Sequence, residues 1–341
     1  MAQPGPRNSI TDIEGLLVGQ AHDERLRSGV TVILPQTPMR AAADVRGGGP
    51  GERELAALEA HGLVGEIHAL ALSGGSAFGL DAATGAQSFL RERGVGFAVG
   101  AARVPIVPQA ILFDLLNGGE KDWGRRPPYQ DMAYEACAAA GPDFALGTAG
   151  AGYGAATVNL KGGIGSASVA MDDGVMVGAV AAVNAAGSVT LGESPHFWAA
   201  PWEADGEFGG LGWPRAMPPG ALEPRLKGGG AGASTTLGVV ATDAALSRAD
   251  LKRLAIMAQT GLARAIYPVH APVDGDIVFA LSAGEKPLAD PARGLARLGA
   301  HAANALARAV ARGVYEAAGW EGAPSHREKF GHGRGGGTAA G

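Results

Sequence analysis

The chain has 341 residues, a net charge of −5 and one cysteine, Cys137. No Lys/Arg block or aromatic–basic stripe is present, which argues against a nucleic-acid partner, and the lone cysteine excludes an intrachain disulfide and any multi-cysteine metal site. Hydrophobic residues make up 46 % and glycine 56 positions, more than twice the usual share of about 7 %, so the composition predicts a large packed core with close backbone contacts.

Met1 to Asn8 hold no apolar stretch of signal-peptide length, and no later segment is apolar for long enough to cross a bilayer. A soluble, cytoplasmic protein without a membrane partner is expected. Residues 10–34 read as short strands, with the β-branched run Gly29 to Leu34 the clearest and Pro35 its stop. Ala42 to Pro50 is a loop around Arg46-Gly-Gly-Gly, Glu52 to Ala60 a short helix closed at Gly62, and His68 to Leu72 a buried strand. Gly74-Gly75-Ser76 then opens a helix to about Arg93, with Gly94 as its cap. A strand, a glycine turn and a helix N-terminus can bind an anion or a carbonyl oxygen, although close helix packing accounts for the same glycines. Phe78 stands where a Gly-x-Ser-x-Gly elbow needs its second glycine, so Ser76 is not read as a hydrolase nucleophile.

Cys137 lies among Ala136, Ala138 and Ala139 and reads as a buried helical thiol. Gly150-Ala-Gly152-Tyr-Gly154 is a tight turn, its third glycine coming too early for a dinucleotide loop. Val175 to Val183 is a strand buried on both faces, ending at Asn184, whose amide is either a satisfied turn former or an oxyanion donor. Pro195 to Lys227 holds three of the five tryptophans, Trp198, Trp202 and Trp213, and reads as a long excursion: a lid, a packing surface or a plain loop pinned by aromatics.

Gly228, Gly229, Gly230 and Gly232 lead abruptly into Thr235, Thr236, Val239 and Val240. A hydroxyl thus begins a buried strand after a strain-tolerant segment. That suits a self-cleaving nucleophile: Thr235 attacks the carbonyl of Ser234, and hydrolysis of the ester frees an N-terminal Thr235. Its α-amine, with a pKa near about 7.7–8.0, is then the general base beside its own hydroxyl. A glycine-rich hairpin entering an ordinary strand fits the same residues.

Ser247 begins a helix with an apolar face of Leu251, Leu254, Met257 and Leu262. Asp274 and Asp276, if extended, share a face, where repulsion raises one pKa and couples the two titrations; an Asp-Gly turn is the alternative. Pro291 to Ala318 is the last long helix. The tail from Ser325, with His326, His332 and Gly335-Gly-Gly, is expected to be disordered with exposed histidines.

Ile10-Thr-Asp-Ile-Glu-Gly-Leu-Leu-Val-Gly-Gln, Gly29-Val-Thr-Val-Ile-Leu, Asp44-Val-Arg-Gly-Gly, Leu72-Ser-Gly-Gly-Ser-Ala-Phe-Gly-Leu-Asp, Ile111-Leu-Phe-Asp-Leu, Lys161-Gly-Gly-Ile-Gly, Val183-Asn-Ala, Thr235-Thr-Leu-Gly-Val-Val-Ala-Thr-Asp and Asp274-Gly-Asp occur in that order. From Ile10 to about Ala318 the chain resembles the DmpA-type peptidases, which include L-aminopeptidases/D-esterases, β-aminopeptidases and nylon-oligomer hydrolases. The resemblance implies an α/β fold, a four-layer α/β/β/α sandwich of the N-terminal-nucleophile-like type shared by DmpA and the ornithine acetyltransferases. It implies one domain over residues 1–324, cut into 1–234 and 235–341, with 325–341 as the tail.

The roles implied by the resemblance are nucleophile for Thr235, a nearby cation for Lys161, oxyanion donor for Asn184 and functional carboxylates for Asp274 and Asp276. Substrate is expected beside Gly74, Gly75 and Phe113. Phe113 stands where some members carry a polarising tyrosine, and Ser234 where Asn or Gly is common before the nucleophile. No metal or organic cofactor is implied; a short peptide or linear amide is the substrate, and processed αβ units are expected to form homo-oligomers such as a tetramer. Acyl transfer to an amine, as in the ornithine acetyltransferases, and an unprocessed, non-catalytic scaffold stay open as alternatives.

Overall fold

A computed structural model describes residues 2–228 and 234–331. Thirteen strands and five α-helices occur among the described residues. The first part holds β1 (Leu16–Asp23), β2 (Ser28–Pro35), β3 (Met39–Val45), β4 (Glu52–Arg53), β5 (Glu66–Ile67), β6 (Leu70–Ser73), α1 (Ala82–Glu92), β7 (Phe97–Val99), β8 (Ala102–Val104), β9 (Gln109–Ile111) and α2 (Tyr129–Ala138). The second holds β10 (Gly163–Ala170), β11 (Met176–Asn184), β12 (Thr235–Ala244), α3 (Arg248–Ala265), β13 (Ile277–Lys286), α4 (Pro291–Tyr315) and α5 (His326–Phe330).

Two sheets form, one in the order β10-β11-β12-β13-β3-β5 and one in the order β1-β2-β6-β9-β4, while β7 and β8 make a separate hairpin. The alternation of side chains along each strand decides what each face meets. Val239 joins Val18, Ile33, Leu72, Val180 and Phe279 in a core between the sheets. Its neighbour Val240 points the other way, to Leu254 and Leu262 of α3 and Leu306 and Val310 of α4. On the far side, Val30, Val32 and Ala71 pack under Ala83 and Ala86 of α1 and Ala133 and Ala136 of α2. The result is a four-layer α/β/β/α sandwich, and β12, covered on both faces, is buried at every position.

Glycine lets these layers approach closely. A Cβ on Gly165 of β10 would lie 1.9 Å from the carbonyl oxygen of Ala309 in α4, so no larger residue fits beneath that helix. Cys137 sits buried in α2, and burial pushes its thiol up to about 12, leaving it protonated and inert.

Four segments differ from the sequence expectation. Residues 42–45, expected in a loop, are the second half of β3 and pair with β13, because Ala42 and Ala43 are small enough to be buried there. The helix after Gly75 starts as a 3-10 turn, Ser76–Asp81, because Gly75 and Ser76 are both left-handed; the α-helix begins only at Ala82. Residues 52–60 are not an α-helix but β4 followed by a 3-10 turn, Leu55–Leu58. The tail is not disordered over residues 325–331. Ser325 and Glu328 form a capping box that starts α5, and His326 is buried, stacked on Phe197 with Nε2 2.9 Å from the carbonyl oxygen of Pro195. His332, Gly335 and the glycines at 229, 230 and 232 lie outside the described residues. Among the described residues no helix is long and apolar enough to cross a membrane.

The excursion from Pro195 to Lys227 is largely irregular, with one 3-10 turn, Ala200–Trp202. Trp198 packs on Tyr267, and Glu207 reaches back to Arg308 on α4.

Candidate active site

β12 lies between β11, antiparallel to it, and β13, parallel to it. The register pairs Thr235 with Asn184, the last residue of β11, and a bridge pairs Ser234 with Asp274 just before β13. The sheet therefore gathers Ser234, Thr235, Asn184, Asp274 and Asp276 at one end, although they come from three distant stretches of sequence.

Thr235 is buried, and its Oγ1 donates to the carbonyl oxygen of Ser234 at 2.5 Å. The same oxygen accepts from the N–H of Gly275 at 3.1 Å. A Cβ at position 275 would stand 2.6 Å from Thr235 Oγ1, so the glycine leaves room for the hydroxyl. Asp276 Oδ1 accepts from the N–H of Thr236 at 2.7 Å; its Oδ2 accepts from the N–H of His270 at 3.1 Å and lies 2.9 Å from His270 Nδ1. Asp274 Oδ1 accepts from the N–H of Ala186 at 3.1 Å. The Arg46-Gly-Gly-Gly loop straps this segment down, with Arg46 N–H on the Asp276 carbonyl and Gly49 N–H on the Asp274 carbonyl. Burial, and then the charge of Asp276, push Asp274 up to about 7.

Asn184 Oδ1 accepts from Ala156 N–H at 3.0 Å and from Lys227 Nζ at 2.7 Å, and Nδ2 donates to the Phe113 carbonyl at 2.8 Å. Two donors converge on one end of the amide, which identifies that end as the oxygen. Lys161 is fully buried. It donates to the carbonyls of Gly152 at 3.1 Å and Gly162 at 2.8 Å and lies over the Trp320 ring, 4.5 Å from its centroid. Burial holds its pKa well below the usual lysine value. Its hydrogen bonds thus go to the backbone of its own turn and not to Thr235.

A cavity of about 280 Å³ opens on this end of the sheet, lined by Phe113, Asp114, Asn184, Lys227 and Trp320 among others. Gly74 and Gly75, expected to receive substrate, do not line it. Gly75 N–H donates to Asp114 Oδ1 at 2.7 Å, and a Cβ on Gly74 would lie 2.0 Å from Asp114 Oδ2, so the turn's anion site is filled by the chain's own carboxylate. Asp114 also accepts from Ser28 Oγ at 2.6 Å, and burial raises its pKa.

Sequence reasoning gave no role to Asp114, Lys227 and His270. Asp114 had a signal, its place beside Phe113 in Ile111-Leu-Phe-Asp-Leu; Lys227 had none, since it ends an irregular stretch with no periodicity. Among the described residues no cluster of three or more His, Cys, Asp or Glu side chains is placed to hold a metal ion.

The sequence model of peptidase family S58 matches residues 8–328. An uncharacterized aminopeptidase from Mycobacterium bovis is 44% identical, the match covering 95% of this chain and 98% of the relative. A 6-aminohexanoate-oligomer endohydrolase from Kocuria sp. is 28% identical over 80% of this chain and 74% of its own length. Among solved structures, a β-aminopeptidase from Burkholderia sp. superposes with a TM-score of 0.72 at 22% identity, covering 96% of this chain and 93% of the other. An L-aminopeptidase D-Ala-esterase/amidase from Ochrobactrum anthropi, described as a variant of the Ntn hydrolase fold, gives 0.68 at 20% identity, covering 93% and 88%. With the family match covering nearly the whole described chain and the four layers agreeing with these neighbours, the chain belongs to peptidase family S58, the DmpA-type peptidases, and is a peptide-bond hydrolase of the Ntn-hydrolase fold.

Proposed function

We propose that the protein is a self-processing aminopeptidase or amidase that uses Thr235, freed as a new N-terminus, as its nucleophile on short amides with a free amine. The observation that carries this reading is the contact of Thr235 Oγ1 with the Ser234 carbonyl, whose oxygen also accepts from Gly275 N–H. Attack of Oγ1 on the Ser234 carbonyl carbon forms a C–O bond while the Gly275 N–H stabilises the oxygen as it becomes negative. The Ser234–Thr235 C–N bond then breaks, the hydroxyl proton passing to the departing nitrogen. Water cleaves the resulting ester, leaving a carboxylate on Ser234 and a free amine and hydroxyl on Thr235.

In the mature enzyme that amine takes the hydroxyl proton as Oγ1 attacks the substrate's acyl carbon, and returns it to the leaving amine. Asn184, the register partner of Thr235, donates through the second N–H of Nδ2 to the acyl oxygen in this reading. Asp276 holds the adjoining backbone through Thr236 N–H. Lys161 supports the site by fixing the Gly152–Gly162 turn beneath Trp320.

The substrate class rests on relatives named as an aminopeptidase and a 6-aminohexanoate-oligomer endohydrolase, and on a cavity of about 280 Å³, room for a small acyl group. Homo-oligomers of processed αβ units belong to the same proposal; exposed Trp213, Met217, Leu222 and Leu226 offer apolar surface for assembly. Light scattering on the processed protein tests it.

Intact-mass measurement and N-terminal sequencing test the nucleophile: wild type gives two fragments, the second beginning at Thr235, and Thr235→Ala stays whole. A cut elsewhere, or processing of Thr235→Ala, overturns the assignment. β-Alanyl and glycyl p-nitroanilides and 6-aminohexanoate oligomers, each with an N-acetylated counterpart, test the substrate. Equal turnover of blocked and free forms removes the aminopeptidase assignment.

A further inference from the structure

Lys227 ends the irregular excursion, eight positions before Thr235, and its side chain turns inward to the site. Its Nζ donates to Asn184 Oδ1 at 2.7 Å and to the Ala156 carbonyl at 3.1 Å, and its backbone N–H is fixed on the Ala186 carbonyl at 2.8 Å. Lys227 lines the same cavity as Asn184 and Phe113. Asn184 spends one N–H of Nδ2 on the Phe113 carbonyl and keeps the second.

An amide in this position can present either end. Flipped, its NH₂ would face both the Lys227 ammonium and the Ala156 N–H, donor against donor, so the ammonium enforces the orientation that turns Nδ2 away from them. It also polarises the amide: a charge-assisted hydrogen bond on Oδ1 strengthens donation from Nδ2. We propose that Lys227 is a positioning residue for acyl transfer, acting through Asn184 to hold and strengthen the donor that meets the acyl oxygen as Thr235 attacks. The inference rests on Thr235 being the nucleophile.

The proposal carries a pH dependence. Asp274 and Asp114 face Lys227 and favour its charge, Lys161 opposes it, Glu321 shares the cavity wall, and the freed Thr235 amine joins them after cleavage. Burial outweighs the carboxylates and brings Lys227 down to about 8. The ammonium is present below that value and lost as pH rises through it, so kcat should fall on the alkaline side. Arginine stays charged there.

The experiment uses mature enzyme, its cut at Thr235 verified by mass, turning over β-alanyl p-nitroanilide across the neutral and alkaline range. Lys227→Met should lose about tenfold to a hundredfold in kcat, less than direct removal of an oxyanion donor, with KM within about twofold and the alkaline limb flattened. Lys227→Arg should recover most of kcat and move the limb upward. Wild-type kcat in Lys227→Met, or an alkaline limb unmoved in Lys227→Arg, overturns the proposal; if Lys227→Met is not cut, the Arg variant decides alone. A wild-type protein not cut at Thr235 refutes the nucleophile instead, a result visible before any Lys227 variant is made.

Discussion

Asp274 and Asp276 are two residues apart and hold different strands: Asp274 accepts from the N–H of Ala186, just past β11, and Asp276 from the N–H of Thr236 in β12. Between them they fix the backbone on both sides of the Thr235–Asn184 pair. An Asp276→Asn side chain can still accept from Thr236 N–H, but its NH₂ would then face the N–H of His270, now bonded to Oδ2. In mature enzyme this variant should lose about a hundredfold in kcat, the size expected when the Thr235 amine is displaced as general base, and the buried donor–donor contact should lower the melting temperature without unfolding the protein at assay temperature. A loss below about threefold would reduce Asp276 to a turn residue.

Stability should also report on this pair. Asp274 is raised to about 7 by burial and by Asp276, so between the ordinary carboxylate range and neutrality the folded state holds a proton that the unfolded state has released. Its contribution is full below the unfolded pKa and is lost as pH rises through about 7. In the uncut Thr235→Ala background, Asp274→Asn should therefore gain stability relative to its parent as pH rises from about 4 to about 7. Parallel melting curves for the two proteins across that window would show that Asp274 is ionised in the fold.

Legibility in the sequence followed how local each cause is. β11 and β12 could be read because a strand covered on both faces must be almost wholly small and apolar, and Asn184 and Thr235 mark where those runs stop and start. Their pairing could not be read from composition, since register is set by partners that lie far apart along the chain. The glycine turn at Gly74 and Gly75 fits either an anion site or close helix packing, and in the fold it holds a side chain of the same chain. Its occupant is Asp114, 39 residues from Gly75, and no spacing announces such a contact. Residues 325–331 differ from the expectation for another reason: the glycine-rich composition further on hid a local signal, the Ser325-His-Arg-Glu capping pattern that starts α5.

Glu207 ties the tryptophan-rich excursion to the fold. Its carboxylate accepts from Arg308 Nε at 2.5 Å and Nη2 at 3.0 Å and from Asn8 Nδ2 at 2.6 Å, and both charged side chains are almost wholly buried. Arg312 Nε also lies 3.5 Å from this carboxylate, so removing Glu207 strands two arginines, and Glu207→Gln should cost about 3–5 kcal/mol in denaturant unfolding. Replacing Glu207 and Arg308 together, as Glu207→Gln with Arg308→Met, should restore part of that loss. A single variant as stable as its parent would mean that water reaches Arg308.

Gly275 offers the sharpest separation of geometry from chemistry in processing. Its N–H donates to the Ser234 carbonyl oxygen, and alanine keeps that donor. What alanine adds is a Cβ placed 2.6 Å from Thr235 Oγ1 and 2.8 Å from the Gly49 carbonyl oxygen, both closer than van der Waals contact permits. The cheaper relief is rotation of the Thr235 hydroxyl away from the Ser234 carbonyl, because Gly49 is held by its own hydrogen bond to the Asp274 carbonyl. Loss of attack geometry by about 1 Å is worth on the order of a hundredfold in rate. Gly275→Ala should therefore accumulate as a folded, uncut chain that matures about a hundredfold more slowly than wild type, followed by intact mass over time with circular dichroism as the check on folding. Maturation at the wild-type rate would mean that the Thr235 hydroxyl attacks from another direction, and that its contact with the Ser234 carbonyl is not the geometry of cleavage.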